Sequence, residues 1–213
     1  MRNVYVVAHA QSLHHVEGRV GGWYDTPLTD LGRVQAKRTG RFLGSAVDSD
    51  DVELFSSDLR RASETAEIIG RHLGRPVGLD SRLREMSYGE AEGRPQSWFR
   101  ERIRPQPSDG DRLNHRVYEG AESRIEVAER VGAALDDILE RSALDTVIVT
   151  HGFSSTFFVM AWMRVPAEHM GYCGLPSKPA CVTKLHEDDY FGNRSVAYLC
   201  CTAHLEGLVL AAR

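Results

Sequence analysis

Long apolar runs are missing from this 213-residue chain. The most apolar stretch, Phe153 to Met163, is too short to span a bilayer and carries serines. No signal peptide is read at the start, where Met1-Arg2-Asn3 leads straight into a strand-like segment. Cysteine is scarce. Cys173, Cys181, Cys200 and Cys201 form no CxxC pair, so neither a zinc ribbon nor a disulfide framework is indicated. All four are expected to be reduced and structural in a cytoplasmic protein, with Cys200 and Cys201 on opposite faces of a strand. A basic excess is also lacking: the net charge is -4. The arginines cluster only locally, at Arg60-Arg61 and between Arg100 and Arg104. That suits a small anion better than a nucleic-acid backbone. Neither nucleic acid nor membrane is expected as a partner. No repeat, low-complexity segment or linker is visible.

The segment Val4-Tyr5-Val6-Val7-Ala8 is a short β-branched run that ends on His9. It reads as a buried, parallel strand that delivers His9 to its carboxyl end, where open α/β sheets bind ligands. The loop 10–28 follows, with Gly21-Gly22 able to bring backbone N–H groups close to an anion. Thr29 is expected to cap a helix to Gly44, and Val52 to Phe55 to form a second strand. Ser56-Ser57-Asp58 is expected to cap a helix from Leu59 to Leu73. Arg60 and Arg61 in its first turn oppose the helix dipole unless an anion binds there. A short strand is read at 76–79 and a long amphipathic helix at Gly120 to Leu139. Thr146 to Thr150 is a third apolar strand, ending on His151, with Gly152 and a helix from Phe153 to Met163 behind it. Late strands are read at 182–185 and 196–201. The second lies at a sheet edge that could support a homodimer.

Two histidines at strand ends, an arginine at a helix start and a glutamate in a loop suit phosphoryl transfer through a covalent histidine. A neutral imidazole attacks phosphorus when its other nitrogen donates to a carbonyl. Cations and N–H groups hold the phosphoryl oxygens, and a carboxylic acid protonates the leaving oxygen.

The chain resembles the histidine phosphatase superfamily, also called phosphoglycerate mutase-like, over nearly its whole length. Glu17 to Gly32 looks like the family's first loop and helix start, and Ser57 to Ala66 like its second signature. Leu83-Arg84-Glu85 with Gly89 and Glu92-Gly93 looks like the acid/base loop, Glu119 to Ser123 like the start of the long helix, and Val149-Thr150-His151-Gly152 like the second histidine motif. The resemblance implies a three-layer α/β/α sandwich with a mostly parallel sheet and helices on both faces. It implies one domain, 1–213, with 86–119 as a lid insertion. His9 would be the nucleophile, Glu85 the acid/base and His151 a phosphate ligand. Arg61, Gln11, Ser12, His15, Arg19, Gly21, Gly22, Gly152 and Phe153 would bind phosphate or substrate. No cofactor is implied.

Two positions depart from the family's Arg-His-Gly motif, which here reads Ala8-His9-Ala10. Losing one phosphate-binding arginine costs on the order of 10²–10³ in rate. Replacement cations are sought in Arg19, His14, His15, His115 and Arg116. Three readings follow: a metal-independent phosphomonoesterase for a small phosphorylated metabolite; an atypical member without phosphatase activity, serving as a binding protein or as a lyase or isomerase on a carboxylate; and a phosphomutase. A metal site is not expected, because adjacent His14 and His15 would need an unusual loop to face one ion.

Overall fold

The computed structural model describes residues 1–47, 51–141 and 143–208. Strands β1 (Arg2–Ala8), β2 (Val52–Ser56), β3 (Gly78–Leu79), β4 (Asp145–Thr150), β5 (Val182–Glu187) and β6 (Arg194–Cys201) form one sheet in the order β3-β2-β4-β1-β5-β6. β1 to β4 pair in parallel, and β5 runs antiparallel to both of its neighbours. β6 is the edge strand the sequence indicates.

Alternation along β1 sets the three layers. Val4 and Val6 face the helices α5 (Arg124–Leu139) and α6 (Ser154–Trp162), where Val131, Leu135, Phe157 and Trp162 close the core. Tyr5 and Val7 face the opposite side, against Leu43 of α2 (Asp30–Ala46) and Ala62, Ala66 and Ile69 of α3 (Arg60–Leu73). Helices therefore cover both faces, as a mostly parallel sheet requires. Trp162 is fully buried, and truncating it to alanine would cost about 3–5 kcal/mol.

Several local expectations are corrected. The long helix begins at Arg124, not Gly120, because Gly120 sits at φ +69° and Ser123 with Glu126 forms the capping box. α3 has no serine cap: its N-cap is Leu59, and the Arg60 N–H donates instead to Asp25 Oδ1 at 2.7 Å. Asp58 is taken by Arg84. Cys200 has φ +50° beside a register shift in the β5–β6 pairing, so strict alternation of Cys200 and Cys201 does not hold there. All four cysteines are unpaired. No helix among the described residues is long and apolar enough to cross a membrane.

The segment 86–119 carries a 3-10 turn (Gly89–Ala91) and the helix α4 (Gln96–Arg102). It has a small core of its own, in which Ala91, Val117 and Tyr118 pack with Val20 of the first loop. The loop and the segment are joined by Val20 N–H to Arg94 O and Gly93 N–H to Val20 O.

Candidate active site

Three adjacent parallel strands deliver three polar residues to one edge of the sheet. β1 runs into His9, β4 into His151 and β2 into Ser57. The ladder continues past the strand ends, with His9 N–H donating to Thr150 O (2.9 Å) and Ser57 N–H to Val149 O (3.0 Å). The His9 and His151 rings meet edge to face with centroids 5.0 Å apart.

His9 has a fixed tautomer. Its Nδ1 lies 2.8 Å from the Ala10 carbonyl, which can only accept, so Nδ1 carries the proton and Nε2 the lone pair. Arg61 Nε donates to that Nε2 at 3.2 Å. The guanidinium also donates from Nη1 to Tyr24 O and from Nη2 to Gly22 O. A guanidinium has five N–H donors, so two remain for an incoming anion. Burial, with Arg61 and three neighbouring histidines, holds the His9 pKa well below the usual histidine range. His151 is lowered as well, first by burial and then by Arg61 and Arg130. Both rings are therefore neutral at neutral pH. Burial lowers Arg61 to about 10, which still leaves it charged.

His151 is fully buried and does not itself line the cavity, though its neighbours Gly152 and Phe153 do. Its Nε2 is 2.8 Å from Ser57 Oγ. Its Nδ1 has no partner among the described residues. An orphaned buried nitrogen of this kind is costly unless a ligand satisfies it.

Glu85 sits at the amino terminus of α6, a favoured place for a carboxylate. Oε1 accepts from Met86 N–H, Ser154 N–H and Ser154 Oγ–H, while among the described residues Oε2 accepts only from Phe153 N–H at 3.0 Å. Oε2 is thus the oxygen with capacity left for a proton. Arg130 of α5 holds the backbone of this loop by donating to the carbonyls of Arg82, Arg84 and Glu85. Glu122 fixes Arg130 in turn.

These groups open into a cavity of about 1140 Å³. Its lining includes His9, Gln11, His14, His15, Arg19, Gly21, Gly22, Arg61, Glu85, Gly152 and Phe153, so most of the residues expected at the site are brought together. Gly22 has φ +58°, and a Cβ there would lie 2.9 Å from Glu92 Oε1 and 3.1 Å from Tyr88 N, so no side chain fits. At Gly22 it is the carbonyl, held by Arg61, that serves the site.

Other expectations fail. Ser12 is fully buried and does not line the cavity; it caps α1 (Leu13–Val16) through His15. His115 Nε2 is bound to Arg104 O on the exterior. Arg116 is tied to Ala121 O and Glu126, because the chain turns there into the first turn of α5. Neither His115 nor Arg116 replaces the missing arginine. Arg60 also points away, pairing with Glu64. The turn that adjacent His14 and His15 need in order to face one point is present. The single turn of α1 folds both rings toward His9, and one ring nitrogen of each of the three lies within 4.8 Å of the others.

Sequence reading missed Lys178, an exposed lysine at the cavity rim, together with Ser177, Tyr88 and Gln96. It also missed Arg130 and Ser57. Ser57 opens the second signature but reads there only as part of a helix cap; Lys178, Ser177, Gln96 and Arg130 stand in no local pattern, and only the folded chain brings them to the site.

The family model of the histidine phosphatase superfamily (branch 1) matches residues 4–196. The chain belongs to this superfamily. It is an enzyme of the histidine phosphatase type. It is similar to a protein named probable phosphoglycerate mutase GpmB from Salmonella paratyphi C, 35% identical over 179 residues, covering 78% of this chain and 77% of that one. The Yersinia pestis protein of the same name is 34% identical over 172 residues, with the same coverage. Among solved structures, Bacillus stearothermophilus YhfR matches with a TM-score of 0.77 at 29% identity over 97% of this chain and 100% of its own. A mycobacterial glucosyl-3-phosphoglycerate phosphatase complexed with VO3 matches with a TM-score of 0.78 at 25% identity over 95% and 100%. The histidine phosphatase fold is thus present throughout, and Ala8 stands at the cavity wall in it.

Proposed function

We propose that the protein is a phosphomonoesterase that works through a phosphohistidine at His9. The carrying observation is the His9 ring, with Nδ1–H on a carbonyl and the Nε2 lone pair turned to a buried arginine. A substrate phosphate takes over the Arg61 N–H that now rests on Nε2, and the unpartnered Nδ1–H of His151 donates beside it. The Nε2–P bond forms as the P–O bond to the leaving group breaks, and a proton on Glu85 Oε2 passes to the leaving oxygen. Glu85 then takes a proton from water, the water attacks phosphorus, and the N–P bond breaks to release inorganic phosphate. No step requires a metal.

The substrate class is a small phosphorylated hydroxy acid, such as a phosphoglycerate or its ester. Arg19 and Lys178 at the rim supply cations for its carboxylate. The two named relatives, a probable phosphoglycerate mutase and a glucosyl-3-phosphoglycerate phosphatase, support that class.

A second reading, transfer of phosphate back to substrate as in a mutase, is favoured by the first of those names. The two readings are separated by incubating the protein with a phosphoglycerate and measuring released phosphate against isomerised product. Phosphate release that vanishes in His9→Ala supports the hydrolase. Isomer without free phosphate assigns the mutase. No turnover of any phosphate ester contradicts both, and leaves the binding-protein reading that Ala8 motivates.

A further inference from the structure

We propose that His9, His14 and His15 form a binding site for a divalent transition-metal ion, zinc in the first place, and that metal bound there blocks His9 as a nucleophile. One ring nitrogen of each histidine lies within 4.8 Å of those of the other two. Tetrahedral zinc with Zn–N bonds of about 2.0–2.1 Å sets its ligand nitrogens roughly 3.3 Å apart. Side-chain torsions that close a gap of up to about 1.5 Å complete the site.

The far nitrogen of each ring is already engaged, which is how metal-binding imidazoles are oriented. His9 Nδ1–H is on Ala10 O, leaving the Nε2 lone pair. His14 Nδ1 lies 2.9 Å from Ser12 Oγ and 3.2 Å from Thr26 Oγ1. The His14 Nε2 stays uncovered because residue 21 is glycine: a Cβ there would come within 2.9 Å of it. His15 Nδ1 accepts from Ser12 N–H at 3.2 Å, with Ser12 Oγ 3.5 Å away. Binding through His15 Nε2 moves the ring proton to Nδ1, which then turns to Ser12 Oγ. The ring stays neutral and no proton is lost.

Three imidazoles without a carboxylate select zinc, copper or nickel over magnesium or calcium. His15 is exposed, so the ion enters from solvent and water fills the fourth position. Arg61 must give up its bond to His9 Nε2. It keeps its bonds to Tyr24 O and Gly22 O, and the charges of Glu85, Asp25 and Glu92 acting on it offset the added cation. The zinc site stands without any turnover; only the block of His9 rests on the proposed function.

The test titrates the metal-free full chain with zinc against a chromogenic chelator. One zinc per chain at micromolar or tighter affinity is expected, weakened about tenfold or more in each of H14A and H15A. H15A alters an exposed position and keeps the test meaningful if H14A misfolds. Cobalt should give the intense visible absorption of a tetrahedral site. Absent stoichiometric binding, or binding unchanged in H15A, overturns the site. Zinc should also suppress phosphohistidine formation and a chelator restore it; phosphohistidine that forms equally in the zinc-loaded protein overturns the block. Phosphohistidine missing with and without zinc contradicts the proposed function and the block with it, while the titration still decides the site.

Discussion

Arg61 Nε donates to His9 Nε2 across 3.2 Å, so the cation that would hold the phosphate rests on the lone pair that would attack it. In the proposed mechanism substrate displaces this bond before the nitrogen reacts, which makes Arg61 both the phosphate ligand and the guard of the nucleophile.

Replacing Arg61 with alanine should lower kcat by about 10²–10³-fold, the cost of losing one transition-state donor. Steady-state kinetics on a phosphoglycerate or an aryl phosphate measures it. A fall in kcat of less than about tenfold would show that other groups carry the phosphoryl charge.

The three buried histidines set a pH dependence of stability. His9 and His151 lie well below the usual value of 6.5, and burial pushes His14 down to about 2. Below 6.5 the unfolded chain binds protons on these rings that the folded chain refuses. Stability is therefore full above pH 6.5 and is lost as the pH falls toward the folded values, by about 1.4 kcal/mol per pH unit for each histidine. Urea unfolding at pH 7, 6 and 5 checks the slope, and a flat profile contradicts it. The same shifts keep His9 neutral at pH 6, so phosphohistidine formation should not decline between pH 7 and 6.

Much of this was legible in the sequence because strand ends announce themselves. The apolar runs before His9 and His151 break off into polar residues, and the parallel register then places the two rings side by side. Glu85 and Arg61 were legible through their motifs. Arg130 and Lys178 were not, since each reaches the site only through tertiary contact, and Ser57, just past the end of β2, reads in the sequence only as part of a helix cap. His115 and Arg116 were misjudged for the converse reason. Their charge suggested the cavity, while the capping of α5 and a carbonyl of the same segment claimed them.

Arg130 should act as a positioning residue. Arg130→Met removes the donor to the carbonyls of Arg82, Arg84 and Glu85 and frees the acid/base loop. Misplacing Glu85 by an ångström should cost on the order of 10²-fold in kcat. KM should change far less, and the limb of the pH–rate profile that reports the acid/base should shift. A change confined to thermal stability would show a purely structural role.

Ala8 should be the limiting position for phosphate. Ala8→Arg restores a cation at the cavity wall and should raise kcat by up to about 10²-fold. Lys178→Ala should raise KM for a carboxylate-bearing phosphate ester without affecting an aryl phosphate that lacks the carboxylate. Equal losses on both substrates would move Lys178 from the carboxylate to the phosphate.

The central claim is that His9 Nε2 carries the phosphoryl group. The direct measurement is intact-mass spectrometry of the protein quenched during turnover of a phosphoglycerate, with His9→Ala beside it. The account predicts a mass gain of one phosphoryl group, labile to acid, mapped to His9 and absent from the variant. A phosphoryl group on another residue, or turnover without any phosphoenzyme and undiminished in His9→Ala, would contradict it.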